Sequence, residues 1–172
     1  MVEPVARTYG MDIEKVRTVK AGKKSQVVIA LDSDEHPTLD DLEEISKELS
    51  SLFDDAEERG EVSFGAGYIL ELTTPGVEMP LTHARHFRRN RGRKVKVGGE
   101  QWRVGPLNED ETRVALVRAT KKREEVRVSP VSELSGAVVE IEFNAPPATE
   151  SELADRVFGE LEAAAAEGKE HK

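Results

Sequence analysis

The stretch GYILELTTPGVEMP, from Gly67 to Pro80, divides this chain. Its first half alternates like a strand: Tyr68, Leu70 and Leu72 face one way, and Ile69, Glu71 and Thr73 the other. Pro75 cannot donate to a sheet ladder and Gly76 frees the backbone, so the strand must end at Thr73-Thr74. Pro80 repeats the break. Residues 75–81 are therefore predicted to form a stiff connector. Gly76 is expected in a left-handed conformation that a branched residue cannot take.

Before the break the spacing is mixed. Val2, Val5, Ala6 and Tyr9 recur at helical spacing, and Gly10 is a stop. Asp12–Lys20 suits a strand with poor alternation, and Lys20–Lys24 a turn. Val27–Leu31 is a short, fully apolar run, the mark of a buried central strand. Thr38 caps the clearest helix, with Asp40 and Asp41 in its first turn and Leu42, Ile45, Leu49, Leu52 and Phe53 as its apolar stripe. Asp54–Val62 is expected to be an acidic loop. The order helix-strand-strand-helix-strand predicts an α+β domain with a three-stranded sheet over residues 1–81.

After the break the texture changes. Thr82–Asn90 predicts two helical turns capped by Thr82. Five short runs follow, RKVKV, QWRVGPL, TRVALVRA, EEVRVSP and GAVVEIEF, at near-regular spacing, which predicts an all-β small barrel over 82–145. Ser129–Leu134 fits a short helical turn, and Phe143 is expected to close the core. Residues 146–172 are an acidic tail, helical or disordered. Thr149 with Glu152 would start a helix there, striped by Leu153, Val157 and Leu161, before AAAA and EGKEHK decay into a disordered end.

Charge follows the same division. The net charge of -9 resolves into -10 over residues 1–81, +5 over 82–143 and -4 over 144–172. Hydrophobic residues make up 37%, which suits two small cores better than one large one. There is no cysteine, which removes disulfides, thiolate metal sites and a Cys nucleophile and fits a cytoplasmic protein. No apolar run approaches the roughly 20 residues of a membrane span.

Catalytic patterns are missing. His83 and His86 sit three apart, but arginines surround them and no third ligand converges, so no metal is expected. Gly65 and Gly67 precede no helix that would hold a phosphate. No nucleotide-binding fingerprint or nucleophile elbow occurs, and no cofactor is implied. What remains is Arg85, Arg88, Arg89, Arg91, Arg93, Lys94 and Lys96, with a second cluster of Lys121, Lys122 and Arg123 at a predicted hairpin tip. Arginine meets phosphate bidentately and stacks on bases, as RNA binding needs. On charge alone, RNA contact and a solvated patch explain these residues equally well.

A resemblance separates the two. TLDDLEEISKELSSLFDD (Thr38–Asp55) and YILELTTPGVEMPLTHARHFRRNRGRKVKV (Tyr68–Val97) resemble the ribosome maturation factor RimP family. The family pattern is a strand ending in Ser-Ser-Pro-Gly, a Leu-Asp-Arg-Pro-Leu run, a His-Phe pair and a Gly before a barrel strand. Here these stand as Thr73-Thr74-Pro75-Gly76, Val77-Glu78-Met79-Pro80-Leu81, His86-Phe87 and Gly92. The likeness continues through VSELSGAVVEIEF (Val131–Phe143) and ends near residue 145. Met79 departs from it, standing where the family usually has Arg.

The resemblance implies an SH3-like barrel after the α+β domain. It also implies a monomeric, non-enzymatic assembly factor for the nascent small (30S) ribosomal subunit. The implied partners are its ribosomal RNA and small-subunit ribosomal protein twelve. On that reading the cations face the ribosome. Asp54, Asp55, Glu57 and Glu58 attract the basic ribosomal protein, and Thr73, Thr74, Pro75, Gly76 and Pro80 set the turn between domains. The alternatives are a free-standing RNA-binding regulator or an accessory subunit of an RNA-modifying enzyme.

Overall fold

The computed structural model describes residues 1–120 and 123–170. The chain divides into two compact units, Met1–Gly76 and Val77–Lys172. The first runs α1 (Val2–Thr8), β1 (Asp12–Ala21), β2 (Lys24–Asp32), α2 (Leu39–Glu58) and β3 (Tyr68–Thr73), the element order expected from the spacing. A hairpin joins β1 to β2, so they pair antiparallel; α2 carries the chain back, so β3 pairs parallel to β2. The sheet order is β1-β2-β3, with the apolar Val27–Leu31 run at its centre. Val27, Ile29 and Leu31 pack on Val5, Ala6, Ile45, Leu49 and Phe53. The weak alternation of β1 has a cause: a bulge between Ile13 and Lys15 shifts its register on an edge strand.

Thr38 caps α2 as expected. Its Oγ1 accepts the Asp41 N–H at 3.2 Å, and the Asp41 carboxylate accepts the Thr38 N–H at 2.8 Å. The acidic loop is corrected: α2 runs on to Glu58, so Asp54, Asp55, Glu57 and Glu58 are its last turn. Ala56, fully buried, extends the stripe of Ile45, Leu49 and Phe53 by one more turn, and that packing keeps the segment helical.

The second unit holds α3 (Ala84–Arg89), β4 (Lys94–Val97), β5 (Glu100–Leu107), β6 (Arg113–Ala119), β7 (Glu124–Pro130), a 3-10 turn at Val131–Leu134, β8 (Val138–Val139), α4 (Ala148–Asp155) and α5 (Phe158–Glu170). All five expected strands form one antiparallel sheet in the order β7-β6-β5-β4-β8. Among the described residues no ladder joins its edges, β7 and β8. The β5 register shifts between Val104 and Leu107. At that shift a Cβ on Gly105 would lie 2.9 Å from the Ala115 carbonyl oxygen, so the strands approach where only glycine fits.

Val114–Val117 is apolar on every residue because both faces of β6 are covered. Val114 and Leu116 join Phe87, Val95, Trp102, Val104 and Leu134. Ala115 and Val117 pack under Leu153, Ala154 and Leu161 of the terminal helices. Residues 148–170 thus sit on the sheet as two helices.

Four details of this half differ from the sequence expectation. Phe143 is 93% exposed, because pairing stops at Val139 and the next alternation turns Glu142 inward. Thr149 and Glu152 form no cap; α4 starts at Ala148, and Pro147 ahead of it supplies no side-chain bond. Val157 leaves the stripe at 62% exposure, because Arg156 adopts an extended conformation that breaks the helix. The alanines and the residues after them to Glu170 are helical, α5 being anchored by Leu161; His171 and Lys172 lie outside the described residues.

Candidate nucleic-acid interface

The seven cations between residues 85 and 96 lie on α3, the turn after it and β4. Phe87 is fully buried, so α3 is fixed to the sheet and offers no ring for stacking. Its N-terminus is capped by His86 rather than Thr82. The imidazole Nδ1 accepts the backbone N–H groups of Thr82 at 3.0 Å and His83 at 3.3 Å. This gives His86, 92% buried, a structural task. Among the described residues, no three His, Asp or Glu side chains converge as a metal site would require.

The cations divide by their commitments. Arg91 donates from Nε to the Ala154 carbonyl at 3.0 Å and from Nη2 to the Arg156 carbonyl at 3.2 Å, closing the end of α4. Lys94 pairs with Glu142 at 3.7 Å. Arg88 pairs with Glu111, and both side chains are more than a third exposed. Arg85 and Arg89 are half-buried and also hold partners. Arg93, exposed, donates to the Asn90 amide oxygen at 3.2 Å. Lys96 is exposed, and among the described residues its side chain has no partner. Arg123 pairs with Glu125; Lys121 and Lys122 lie outside the described residues. The structure therefore keeps an exposed cationic edge but assigns several of its members to the fold.

The residue that sequence reading missed is Arg103. Its side chain is fully buried on β5. Nη1 and Nη2 meet the Glu142 carboxylate at 2.9 and 2.8 Å. Nε and Nη2 meet Glu150 at 3.1 and 2.9 Å, and Nη1 also donates to the Gly92 carbonyl at 2.8 Å. The Arg103 guanidinium holds the Glu142 carboxyl below its ordinary value. Sequence offered one signal, an arginine inside the apolar run QWRVGPL.

The acidic candidates close α2. Asp54 accepts the Tyr68 hydroxyl at 2.8 Å, and Glu57 accepts the Phe64 N–H at 3.0 Å. Burial, with Asp54 nearby, pushes the Tyr68 hydroxyl up. Asp55 and Glu58 are exposed. No basic residue stands in that last turn, so four acids crowd the negative end of the helix dipole.

Gly76 is corrected. It lies outside the left-handed region, and a Cβ there would meet nothing within 4 Å. The strand ends because Pro75 denies it a donor, not because Gly76 is strained.

Comparison with known proteins identifies the relatives. The family model for the RimP N-terminal domain matches residues 1–78. A ribosome maturation factor RimP from Corynebacterium aurimucosum is 48% identical over 165 residues, spanning 92% of this chain and 88% of its own length. That of Corynebacterium diphtheriae is 47% identical over 176 residues, spanning 100% and 94%. That of Corynebacterium kroppenstedtii is 42% identical over 176 residues, spanning 93% of each. Among the described residues no helix is long and apolar enough to cross a membrane.

Proposed function

The chain belongs to the ribosome maturation factor RimP family, and from that premise we propose a non-enzymatic assembly factor that binds the nascent small ribosomal subunit in the cytoplasm. The observation that carries this reading is likeness along nearly the whole chain to relatives named as ribosome maturation factors. The five-strand order and the register shift in β5 support reading the second unit as an SH3-like barrel.

The cationic edge of that unit meets ribosomal RNA through its exposed members. Arg93 and Lys96 are ready to act. Arg88 pairs with Glu111 in a solvent-exposed ion pair worth only about 0–1 kcal/mol, so a phosphate can take the place of Glu111 while the further partners of Arg88 hold it in place. Arg91 supports the edge from within. The acidic end of α2 carries a summed field suited to a basic ribosomal protein, with small-subunit protein twelve as the partner the family resemblance implies. Four acids at a helix C-terminus work against the dipole, a local cost that a binding role explains.

Sedimentation with purified small subunits, large subunits and free RNA tests the reading. Wild-type protein is expected to travel with small subunits only. Arg93→Glu/Lys96→Glu is expected to lose that association while keeping its melting temperature. Binding that favours naked RNA over the particle would replace this reading with a free-standing regulator.

A further inference from the structure

A second set of cations occupies the first unit, the one whose net charge is strongly negative. Lys15, Arg17, Lys20, Lys23 and Lys24 all lie on the β1–β2 hairpin, and all five are exposed. Among the described residues none of their side chains has a hydrogen bond or ion pair. That contrasts with the second unit, where Arg88, Arg91, Lys94, Arg103 and Arg123 are each engaged.

The strand register sorts these side chains. Lys15 lies opposite Ala30 and Arg17 opposite Val28, whereas Val27, Ile29 and Leu31 form the core beneath the helices. Lys15 and Arg17 therefore project from the sheet face away from α1 and α2, two residues and about 6.6 Å apart. The acids of α2 stand on the opposite side of the same sheet. The same register puts Lys20, opposite Ser25, on the helix side; on the face of Lys15 and Arg17, β2 contributes Asp32 and β3 contributes Glu71, to which the Gln26 amide donates at 2.9 Å.

The hairpin tip is pinned. The Ala66 N–H donates to the Lys23 carbonyl at 3.1 Å, and Lys24 bridges Gly65. Gly65 has φ +75, and a Cβ there would lie 3.2 Å from that carbonyl, so glycine is required for this approach. Lys23, in the turn, and Lys24, at the start of β2, are thus displayed on a fixed hairpin tip.

We propose that this hairpin is a binding site for the phosphate backbone of RNA, built from residues other than those of the edge at 85–96. Segment 12–24 contains no aromatic residue and a single arginine, Arg17, so it offers bases little to stack on, and the contact is to phosphates without sequence preference. Lysines on an edge strand also deter pairing with other chains, which accounts for Lys15, Arg17 and Lys20. That role does not reach Lys23, in the turn, or Lys24, the first residue of the central strand β2. The proposal does not require the assembly role, because the ligand chemistry is RNA in any context.

The test measures binding to protein-free small-subunit ribosomal RNA over a salt series. The proteins are wild type, the variant K15Q/R17Q/K20Q/K23Q/K24Q, and the turn variant K23Q/K24Q, which leaves the edge strand guarded. The slope of log K against log salt is expected to become shallower by about 3.5 in the five-fold variant and by about 1.4 in the turn variant. Circular dichroism and gel filtration are expected to match wild type for the turn variant. Unchanged slopes in both variants overturn the proposal. So does weaker binding to intact subunits with unchanged RNA slopes, which assigns the hairpin to a protein partner. Wild-type protein that binds no RNA even at low salt overturns it too. Wild-type protein that binds RNA through the hairpin but does not travel with small subunits sustains this site and removes the assembly reading.

Discussion

The two units use charge in opposite ways. In the second unit arginine is a structural material: Arg103 joins β5 to Glu142 and Glu150, Arg91 closes α4, and Arg118 lies over the Trp102 ring at 4.2 Å. In the first unit the hairpin cations are exposed without side-chain partners, and Asp55 and Glu58 stand exposed at an unfavourable helix end. Charges of one kind in sequence thus differ in what they are available to do. A cation buried among carboxylates fixes a fold; a cation in solvent remains ready for a partner.

The largest expected effect comes from removing the buried arginine. Arg103→Met leaves Glu142 and Glu150 facing each other with only Lys94, 3.7 Å from Glu142, as a countercharge, and a broken buried pair costs about 3–5 kcal/mol. Urea unfolding is expected to show that loss. The triple variant Arg103→Met/Glu142→Gln/Glu150→Gln is expected to recover much of it, since no unpaired carboxylate remains. The wild type carries a pH signature. The Glu142 carboxyl is held below 4.5, so its contribution is full above that pH and is lost as pH falls through the lowered value. Arg103→Met is expected to flatten the acid limb of the stability curve below about pH 4.5. An acid limb identical to wild type would show that the triad is not a stabilising element.

A smaller effect separates two neighbours that look alike in sequence. Arg91→Ala removes the bonds to the Ala154 and Arg156 carbonyls, and hydrogen bonds to a charged group are worth about 1.5–3 kcal/mol. Lys96→Gln is expected to stay within about 0.5 kcal/mol of wild type in stability. The order reverses for subunit binding at low salt, where Lys96→Gln is expected to show the purer loss. Equal stability for the two variants would break the distinction between structural and available cations.

Much of the fold was legible because periodicity and backbone chemistry act locally. The capping of α2, the apolar β2 run, the stop at Pro75 and all five strands of the second unit follow from neighbours in sequence. What was not legible depends on residues far apart. Arg103 finds Glu150 across 47 positions, and Arg91 finds Ala154 across 63. The inward turn of Glu142, which leaves Phe143 in solvent, follows from that same arginine. The candidate interface was half legible: the cationic edge stands out as a run, whereas the hairpin cations are diluted by apolar and small residues between them.

The smallest predicted effect sharpens the comparison at the acidic end. Asp55 and Glu58 lie in the last turn of α2, where the dipole is negative, and neither makes the local bonds of Asp54 and Glu57. Asp55→Asn/Glu58→Gln relieves like-charge crowding there. Such terminal terms are worth about 0.3–1 kcal/mol each at low ionic strength and fade with salt. The double variant is therefore expected to be slightly more stable than wild type in low salt and equal to it in high salt. Its association with small-subunit protein twelve is expected to slow, because the field that steers a basic partner is weakened while the contact surface is kept. Stopped-flow association and thermal melts, run at two salt concentrations, measure both quantities on one sample. A gain in stability with a loss in association rate means these acids serve a partner at the expense of their own helix. A gain in stability with an unchanged rate confines the steering field to other acids and leaves this helix end without a binding role.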